Sequence, residues 1–569
     1  MANPTLLIIS LIASFFRERF IRKTHNLEQV QEQFLLKLLR DYQNTEFGKD
    51  YGFSNINSVA EFREKMPILP YASYEPYIDR IAQGEPNVLL SDPVVYITLT
   101  SGSTGKKKLI PTSRKSQTVL RRANLTSMGF VQQALRRRGL KFGKLLLTNS
   151  ALMWGTTEGG INYGPASVGV MRMDERLYKI LFANPFETLL PADSIARHYL
   201  AILFALGDRS TRGMIANFPM LILRMCNYLE RYGQEMIQDI EQGTIAPWLP
   251  LEPELRPTLE SLLIPNPKRA AELRQVLQED GRLTPKRVWP ESFFVTAARG
   301  GTSDFYFRRF PEYFGDTPIF GAVFSSAEGT FSIYPDVDTD GSILSLETGF
   351  FEFIPESQWH VEQPQTLLPR EVKVGERYRI LLSSYGGFFR YDIGDIIEVV
   401  GFYNQAPLIV FKHRSGGMIS STTEKTTEDH ATRVMDHLQA EFGITFEDFC
   451  LTLSGDEFPA RYLVNIELAP GHQLSDPVAF LRRFDEQLAA ENTHYQISRG
   501  SDIPAPRLRL LQPGSYDILR QQQVERGIPD SQLKFPHITE DREFLANLPL
   551  IQEVRLPEDR PLTPQEVSG

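Results

Sequence analysis

Residues 28–42 (EQVQEQFLLKLLRDY) place apolar side chains at helical spacing with charged ones between them, which predicts an amphipathic helix. Ahead of it, residues 6–16 (LLIISLIASFF) are a largely apolar run followed by the basic stretch Arg17-Glu18-Arg19-Phe20-Ile21-Arg22-Lys23. A membrane span needs roughly 20 apolar residues, about twice this run. A secretory leader carries its positive charge before the apolar core and a small-residue cleavage site after it, and this stretch has neither. The expectation is a helix lying against the body of the protein, with peripheral contact between this helix and a membrane as the alternative.

Residues 92–100 (DPVVYITLT) are β-branched and aromatic and run into a Gly/Ser/Thr-rich loop, so a strand and then a loop are predicted. Residues 193–241 read as mostly helical, with breaks near Gly207 and Gly213. From Phe293 onward strand signals dominate, at residues 293–297, 317–324, 350–354, 378–383, 396–400 and 408–411. Helical stretches mixed with separated β runs predict an α/β chain. Past Arg414-Ser415-Gly416-Gly417 the pattern restarts with a helix at 427–442, a strand at 462–468, a helix at 477–490 and a strand at 507–511. That predicts a small α+β unit behind a Gly-rich hinge. The boundaries expected are a large N-terminal domain over 1–415, a small C-terminal lid domain over 416–547, and a loose Pro- and Glu-rich tail over 548–569.

At 569 residues the chain is too long for one ordinary core, in keeping with that division. A formal charge of -9 argues against nucleic acid as the main partner, although a locally basic cleft stays compatible with it. The two cysteines, Cys226 and Cys450, are far apart, which excludes a disulfide framework or a cysteine zinc site and fits a soluble, cytoplasmic protein. The nine histidines form no HxxxH or HxH pair, and no GxSxG elbow is present.

Three stretches carry candidate chemistry. In Thr100-Ser101-Gly102-Ser103-Thr104-Gly105-Lys106-Lys107-Lys108, glycines let the backbone approach a ligand and hydroxyls add hydrogen bonds. The lysines supply charge against a polyphosphate. The stretch is no Walker A loop, because Thr100 stands where the first glycine belongs and Lys107 follows Lys106. In Phe324-Ser325-Ser326-Ala327-Glu328-Gly329 a carboxylate follows a predicted strand and could hold magnesium through oxygen. In Arg390-Tyr391-Asp392-Ile393-Gly394-Asp395 a carboxylate at a strand start could accept both ribose hydroxyls, and Tyr391 could pack near a nucleoside. Taken singly, the first also reads as a solvated loop, and the second and third read first as an exposed turn Glu and a turn Asp.

Together TSGSTGKKKLIP, FSSAEG and FFRYDIGD resemble, in order, the three nucleotide-binding motifs of the adenylate-forming enzymes. The chain is most similar to their acyl acid amido synthetase branch, the auxin-responsive Gretchen Hagen family, with a bacterial-type member expected. NLEQVQEQFLLKLL, YEPYIDRIAQGE, TTEGGINYG, VWPESFFVTA, GFYNQAPLIVF, TTEKTTED and SQLKFPH carry this likeness from about residue 26 to about residue 544. The resemblance implies a large adenylate-forming domain of mixed sheets and helices and a small mobile α+β C-terminal domain. It implies an ATP-dependent ligase that activates a carboxylic acid as acyl-AMP and passes the acyl group to an amino acid or other amine. ATP would be substrate and Mg2+ cofactor.

Position by position, the resemblance implies a phosphate loop of Ser101, Gly102, Ser103, Thr104 and Gly105, with Lys108 as its lysine. Phe324 would lie beside the adenine in place of a usual tyrosine, and Ser326 next to the nucleotide. Glu328 would be the magnesium carboxylate and Asp395 the ribose carboxylate. Lys425, just past the hinge, and Lys534, in QLKFP, would be lysines of the closing small domain. Asp392 stands where the plant pattern has a basic residue, and Ala298-Arg299-Gly300-Gly301 replaces a plant segment that borders the acyl pocket. Transfer to coenzyme A, or a non-catalytic ligand binder, are the alternative readings.

Overall fold

The computed structural model describes residues 4–559, apart from 102–106, 165–174, 292, 302, 360, 415–416, 422–423, 456, 458, 500–502, 526–527, 529, 531–532 and 558. The chain divides into two compact units, Met1–Lys412 and His413–Gly569.

Among the described residues the first unit holds three sheets. A parallel sheet takes Lys144–Leu147, Thr211–Ile215, Phe294–Thr296 and Ile319–Phe320 in that order. Its Thr211–Ile215 strand sits where a helix break was expected at Gly213. A side chain there would come within 2.6 Å of the Phe294 carbonyl, so glycine here allows close strand approach rather than interrupting an element. Buried helices such as Ser194–Gly207 flank this sheet.

The strand predicted over 317–324 is split. Ile319–Phe320 ends the parallel sheet, and Val323–Ser325 starts the edge of a seven-stranded one. Between them Ala322 adopts a left-handed φ of 56°, and Gly321 lies flat against the Tyr334 ring, where a Cβ would be 2.4 Å away. This corner delivers Phe324, Ser326 and Glu328 to the second sheet.

That sheet runs Gly349–Pro355, Arg377–Ser384, Tyr391–Tyr403, Ala406–Arg414, Ser342–Leu344, Thr330–Ile333 and Val323–Ser325. A third sheet contains the antiparallel hairpin Val94–Ser101 and Lys107–Ser113. An aromatic core of Phe47, Tyr74, Phe388, Phe389 and Tyr391 lies beneath the site, with ring centroids 5.0 Å apart for Tyr74–Phe388 and 4.7 Å for Phe388–Tyr391.

The N-terminal helix Pro4–Lys23 lies against helix Arg114–Arg137 on one face only. Ala13 and Phe20 are buried, Phe20 meets Phe130 edge-to-face at 6.2 Å, and Arg17 donates to the Gly129 carbonyl at 3.2 Å. Its other face exposes Ile8, Leu11, Ile12 and Phe15, so the expectation of a helix set against the body holds for half its circumference. Among the described residues no helix is long and apolar enough to cross a membrane.

The second unit is a four-stranded sheet, Phe446–Leu453, Tyr462–Leu468, Arg507–Leu511 and Leu550–Arg555, with helices Glu428–Phe442 and Pro477–Glu491. The last strand corrects the expectation of a loose tail from 548. Leu550–Arg555 pairs antiparallel with Arg507–Leu511, and Glu553 accepts from Arg509 at 3.1 Å. Backbone pairing and charge hold this edge strand while most of its side chains stay exposed, so its composition reads as tail. Residues 560–569 lie outside the described set. Cys226 is buried in the first unit and Cys450 in the second.

Candidate functional site

The hairpin carrying the expected phosphate loop closes with Thr100 opposite Lys108 and Ser101 opposite Lys107. Gly102, Ser103, Thr104 and Gly105 lie outside the described residues, as does the side chain of Ser101. Lys108 is described. Its ammonium stands 5.1 Å from the centroid of the Tyr71 ring, a cation–π contact.

After the Val323–Ser325 strand the chain turns tightly. The Ser326 N–H donates to the Gly329 carbonyl at 2.9 Å, and the Glu328 N–H donates to the Ser326 hydroxyl at 3.2 Å. Ser384, at the end of strand Arg377–Ser384, donates to the Glu328 carbonyl at 3.1 Å. The Glu328 carboxylate is buried and accepts from the Tyr391 hydroxyl at 3.3 Å. Phe324 stacks on Phe331 at 5.0 Å and leans on Phe411 at 5.3 Å, leaving it half-buried. A cavity opens beside this turn, lined by Tyr96, Thr98, Ser326, Glu328, Ser384 and Tyr385 among others.

Tyr391 is buried against Phe388 and Tyr74, so its contact with the site is through its hydroxyl on Glu328. Asp395 is buried at the start of the same strand, Tyr391–Tyr403. Register there slips between Arg379 and Leu381, and Gly394 takes a φ of 82°, so the strand bulges at the residue before Asp395. Asp392 stabilises the bulge, accepting from the Gly394 N–H at 2.9 Å and pairing with Arg379 at 3.1 Å. Burial raises the Asp392 carboxyl and Arg379 opposes that rise. The departure from the plant basic residue thus has a local structural partner.

Sequence reasoning missed the group behind this corner. Arg390 adopts a left-handed φ of 47° and sends its guanidinium inward to both Glu352 oxygens, at 2.9 and 3.0 Å. It also donates to the carbonyls of Arg63 and Met66. Tyr71 and Tyr74 were missed as well. Their spacing of three in LPYASY was the available signal, since residues three apart on a helical turn share a face.

In the first unit the Tyr391 hydroxyl meets Glu328, and Ser326 and Glu328 line one cavity, while Lys108, Phe324 and Asp395 belong to the same unit. Lys425 and Lys534 belong to the second unit. Lys425 is exposed between the buried Glu424 and Thr426, and Lys534 is exposed between the buried Leu533 and Phe535. Glu424 accepts from the Tyr462 hydroxyl at 3.0 Å, and Asn492 donates to the Lys425 carbonyl at 3.1 Å. Among the described residues no group of three or more His, Cys, Asp or Glu side chains could hold a metal alone. A single carboxylate such as Glu328 suits a magnesium ion that takes its remaining ligands from phosphates and water.

Three family profiles match in order: the GH3 family N-terminal domain over residues 16–319, its central domain over 342–414, and its C-terminal domain over 429–543. The chain belongs to the GH3 family. A rice (Oryza sativa subsp. indica) GH3 protein, indole-3-acetic acid-amido synthetase GH3.8, is 28% identical over 91% of this chain and 89% of its own. The solved GH3.15 acyl acid amido synthetase superposes with a TM-score of 0.80 at 23% identity, covering 93% of this chain and 95% of that one. A 2-hydroxyisobutyryl-CoA ligase in its postadenylation state superposes with a TM-score of 0.54 at 12% identity, over 91% and 90% of the two chains. The fold is that of the adenylate-forming enzymes, as the motif order implied. The rice relative is a plant protein, and nothing in these likenesses supports the bacterial-type expectation.

Proposed function

We propose that this GH3 protein is an ATP-dependent acyl acid amido synthetase, an AMP-forming ligase joining a small carboxylic acid to an amino acid or other amine. One observation supports this most: the Tyr391 hydroxyl reaches Glu328 at 3.3 Å, so the ribose segment and the magnesium segment share one wall. The rice relative's name, an indole-3-acetic acid-amido synthetase, supports the same reaction class.

In this reading a carboxylate oxygen attacks the α-phosphorus of ATP, the bond to the bridging oxygen breaks, and pyrophosphate leaves. The two reactants are anions and repel, so positive charge must meet them. The charge would come from Lys108 and the loop of Ser101, Gly102, Ser103, Thr104 and Gly105 that the family likeness assigns to the phosphates, with Lys534 joining when the small domain closes. Asp395 accepts the ribose hydroxyls while Phe324 lies beside the adenine and Ser326 next to the nucleotide. Lys425 sits just past the hinge on the small domain. Magnesium held at Glu328 would add charge against the phosphate oxygens. An amine nitrogen then attacks the acyl carbon, the carbon–oxygen bond to AMP breaks, and the amine proton passes to solvent. Holding the reactants together does most of the work, and effective molarities of about 10⁵ M or more are attainable. No His or Ser nucleophile is required.

The test is a panel of carboxylic acids screened for acid-dependent pyrophosphate exchange with ATP and Mg2+. Amino acids, other amines or coenzyme A are then added and products weighed by mass spectrometry. AMP, pyrophosphate and an amide are expected. ADP and phosphate as stoichiometric products would overturn adenylation, and a thioester as sole product would replace the amide assignment.

A further inference from the structure

We propose that Tyr71 is a positioning residue that fixes the Lys108 ammonium relative to the strand bearing Asp395. The proposal rests on the adenylating reading of Lys108. Tyr71 opens a one-turn 3-10 helix, Tyr71–Ser73, ahead of helix Glu75–Ala82. Its hydroxyl accepts the Leu109 N–H at 2.8 Å and donates to the Leu109 carbonyl at 3.0 Å. One phenol thus meets both backbone groups of the residue after Lys108, using its full donor capacity. Its ring face meanwhile carries the Lys108 ammonium.

The other side of the same segment grips the ribose strand. Tyr74 donates to the Phe389 carbonyl at 2.5 Å and accepts its N–H at 3.0 Å. The Leu69 N–H donates to the Arg390 carbonyl at 3.1 Å, and the Asp392 N–H donates to the Leu69 carbonyl at 3.0 Å. Residues 69–74 are therefore bonded to both motif-bearing strands and set their spacing. A lysine on a four-carbon stem is otherwise free to sample many rotamers, and a ring beneath its ammonium restricts them. Burial, and after it the negative charges of Glu75, Asp79 and Glu328, push the Tyr71 phenol up to about 12, against the lowering effect of its bond to Leu109.

Two measurements on the full-length protein test this. The first is the NMR signal of ¹³C-dimethylated Lys108, assigned by its loss in Lys108→Arg. An upfield ring-current shift is expected, retained in Tyr71→Phe and lost in Tyr71→Met, which fills the ring's volume without a π face. The second is single-turnover acyl-AMP formation. Tyr71→Met is expected to slow it by about tenfold, on the scale of a part-buried cation–π contact. ATP affinity should change less than the rate, and Tyr71→Phe should recover most of the loss. In a Lys108→Ala background the same Tyr71→Met change should cost under about twofold, because the group it positions is gone. Equal slowing in both backgrounds, or an unshifted Lys108 signal in the parent, would overturn the proposal. A parent protein that forms no acyl-AMP with any acid would count against the functional reading instead, and the NMR result would still decide the positioning role.

Discussion

Glu428 and His537 stand 109 residues apart in sequence, yet the Glu428 carboxylate accepts the His537 backbone N–H at 3.0 Å. Glu428 starts helix Glu428–Phe442, whose cap Thr427 follows Lys425 by two residues, and His537 follows Lys534 by three. This bond ties both lysine-bearing segments of the second unit to one helix end. Thr432 reaches the His537 ring at 3.3 Å, and the ring stacks on Phe449 at 4.0 Å, so the junction is buried and fixed.

If Lys534 meets the phosphates, Lys534→Ala should slow acyl-AMP formation by about 10²-fold, the scale of losing one stabilising group. Glu428→Ala should give part of that loss by releasing the 533–537 segment, and Glu428→Gln, which keeps an acceptor, should give less. Single-turnover kinetics with radiolabelled ATP measures both. Parental rates in Lys534→Ala would remove this lysine from the mechanism.

Asp395 makes the complementary prediction for binding. Losing two charge-assisted hydrogen bonds to ribose, each worth about 1.5–3 kcal/mol, should weaken ATP binding by at least about tenfold in Asp395→Ala. Calorimetry reads this directly, and unchanged ATP affinity would deny the ribose role.

The buried pair Arg390–Glu352 should matter for stability more than for chemistry. Both side chains are nearly inaccessible, so Glu352→Ala strands a buried guanidinium and should cost about 3–5 kcal/mol. Denaturant titration checks it. A shift below about 1 kcal/mol would show that water or a rearranged partner replaces the carboxylate.

Glu467 provides a pH signature. It is buried and accepts the N–H groups of Gly514 and Tyr516, yet burial outweighs them and raises its carboxyl to about 7 from 4.5. The folded state then holds a proton that the unfolded chain gives up at lower pH. Stability should fall as pH rises from 4.5 through 7, by up to about 3 kcal/mol from this group. Glu467→Gln should flatten that part of the curve, and an unchanged slope would place the titration elsewhere.

How much of this could be read from the chain alone follows from how local each signal is. The strand into the 100–108 loop, the capped helix at Glu428 and the order of the three motifs depend on neighbouring residues, and periodicity and motif chemistry reported them. Thr211–Ile215 was missed because Gly213 reads as a break until its parallel neighbour is in place. Leu550–Arg555 was missed because pairing and charge, rather than apolar alternation, hold an edge strand. Tyr71 and Arg390 act on residues far away in sequence, Leu109 and Glu352, and the spacing of Tyr71 and Tyr74 in LPYASY does not name those partners. Tyr391 was expected near a nucleoside; its ring is buried and its hydroxyl bonds Glu328, a partner that nothing local in the sequence names.

The two buried thiols have a practical consequence. Burial raises both Cys226 and Cys450 far from the reactive thiolate range, and each lies in a different unit. The folded chain therefore offers maleimide dyes almost no background. One cysteine introduced at an exposed position in each unit would take donor and acceptor fluorophores cleanly. Single-molecule energy transfer could then follow the distance between the units as ATP, acid and amine are added in turn.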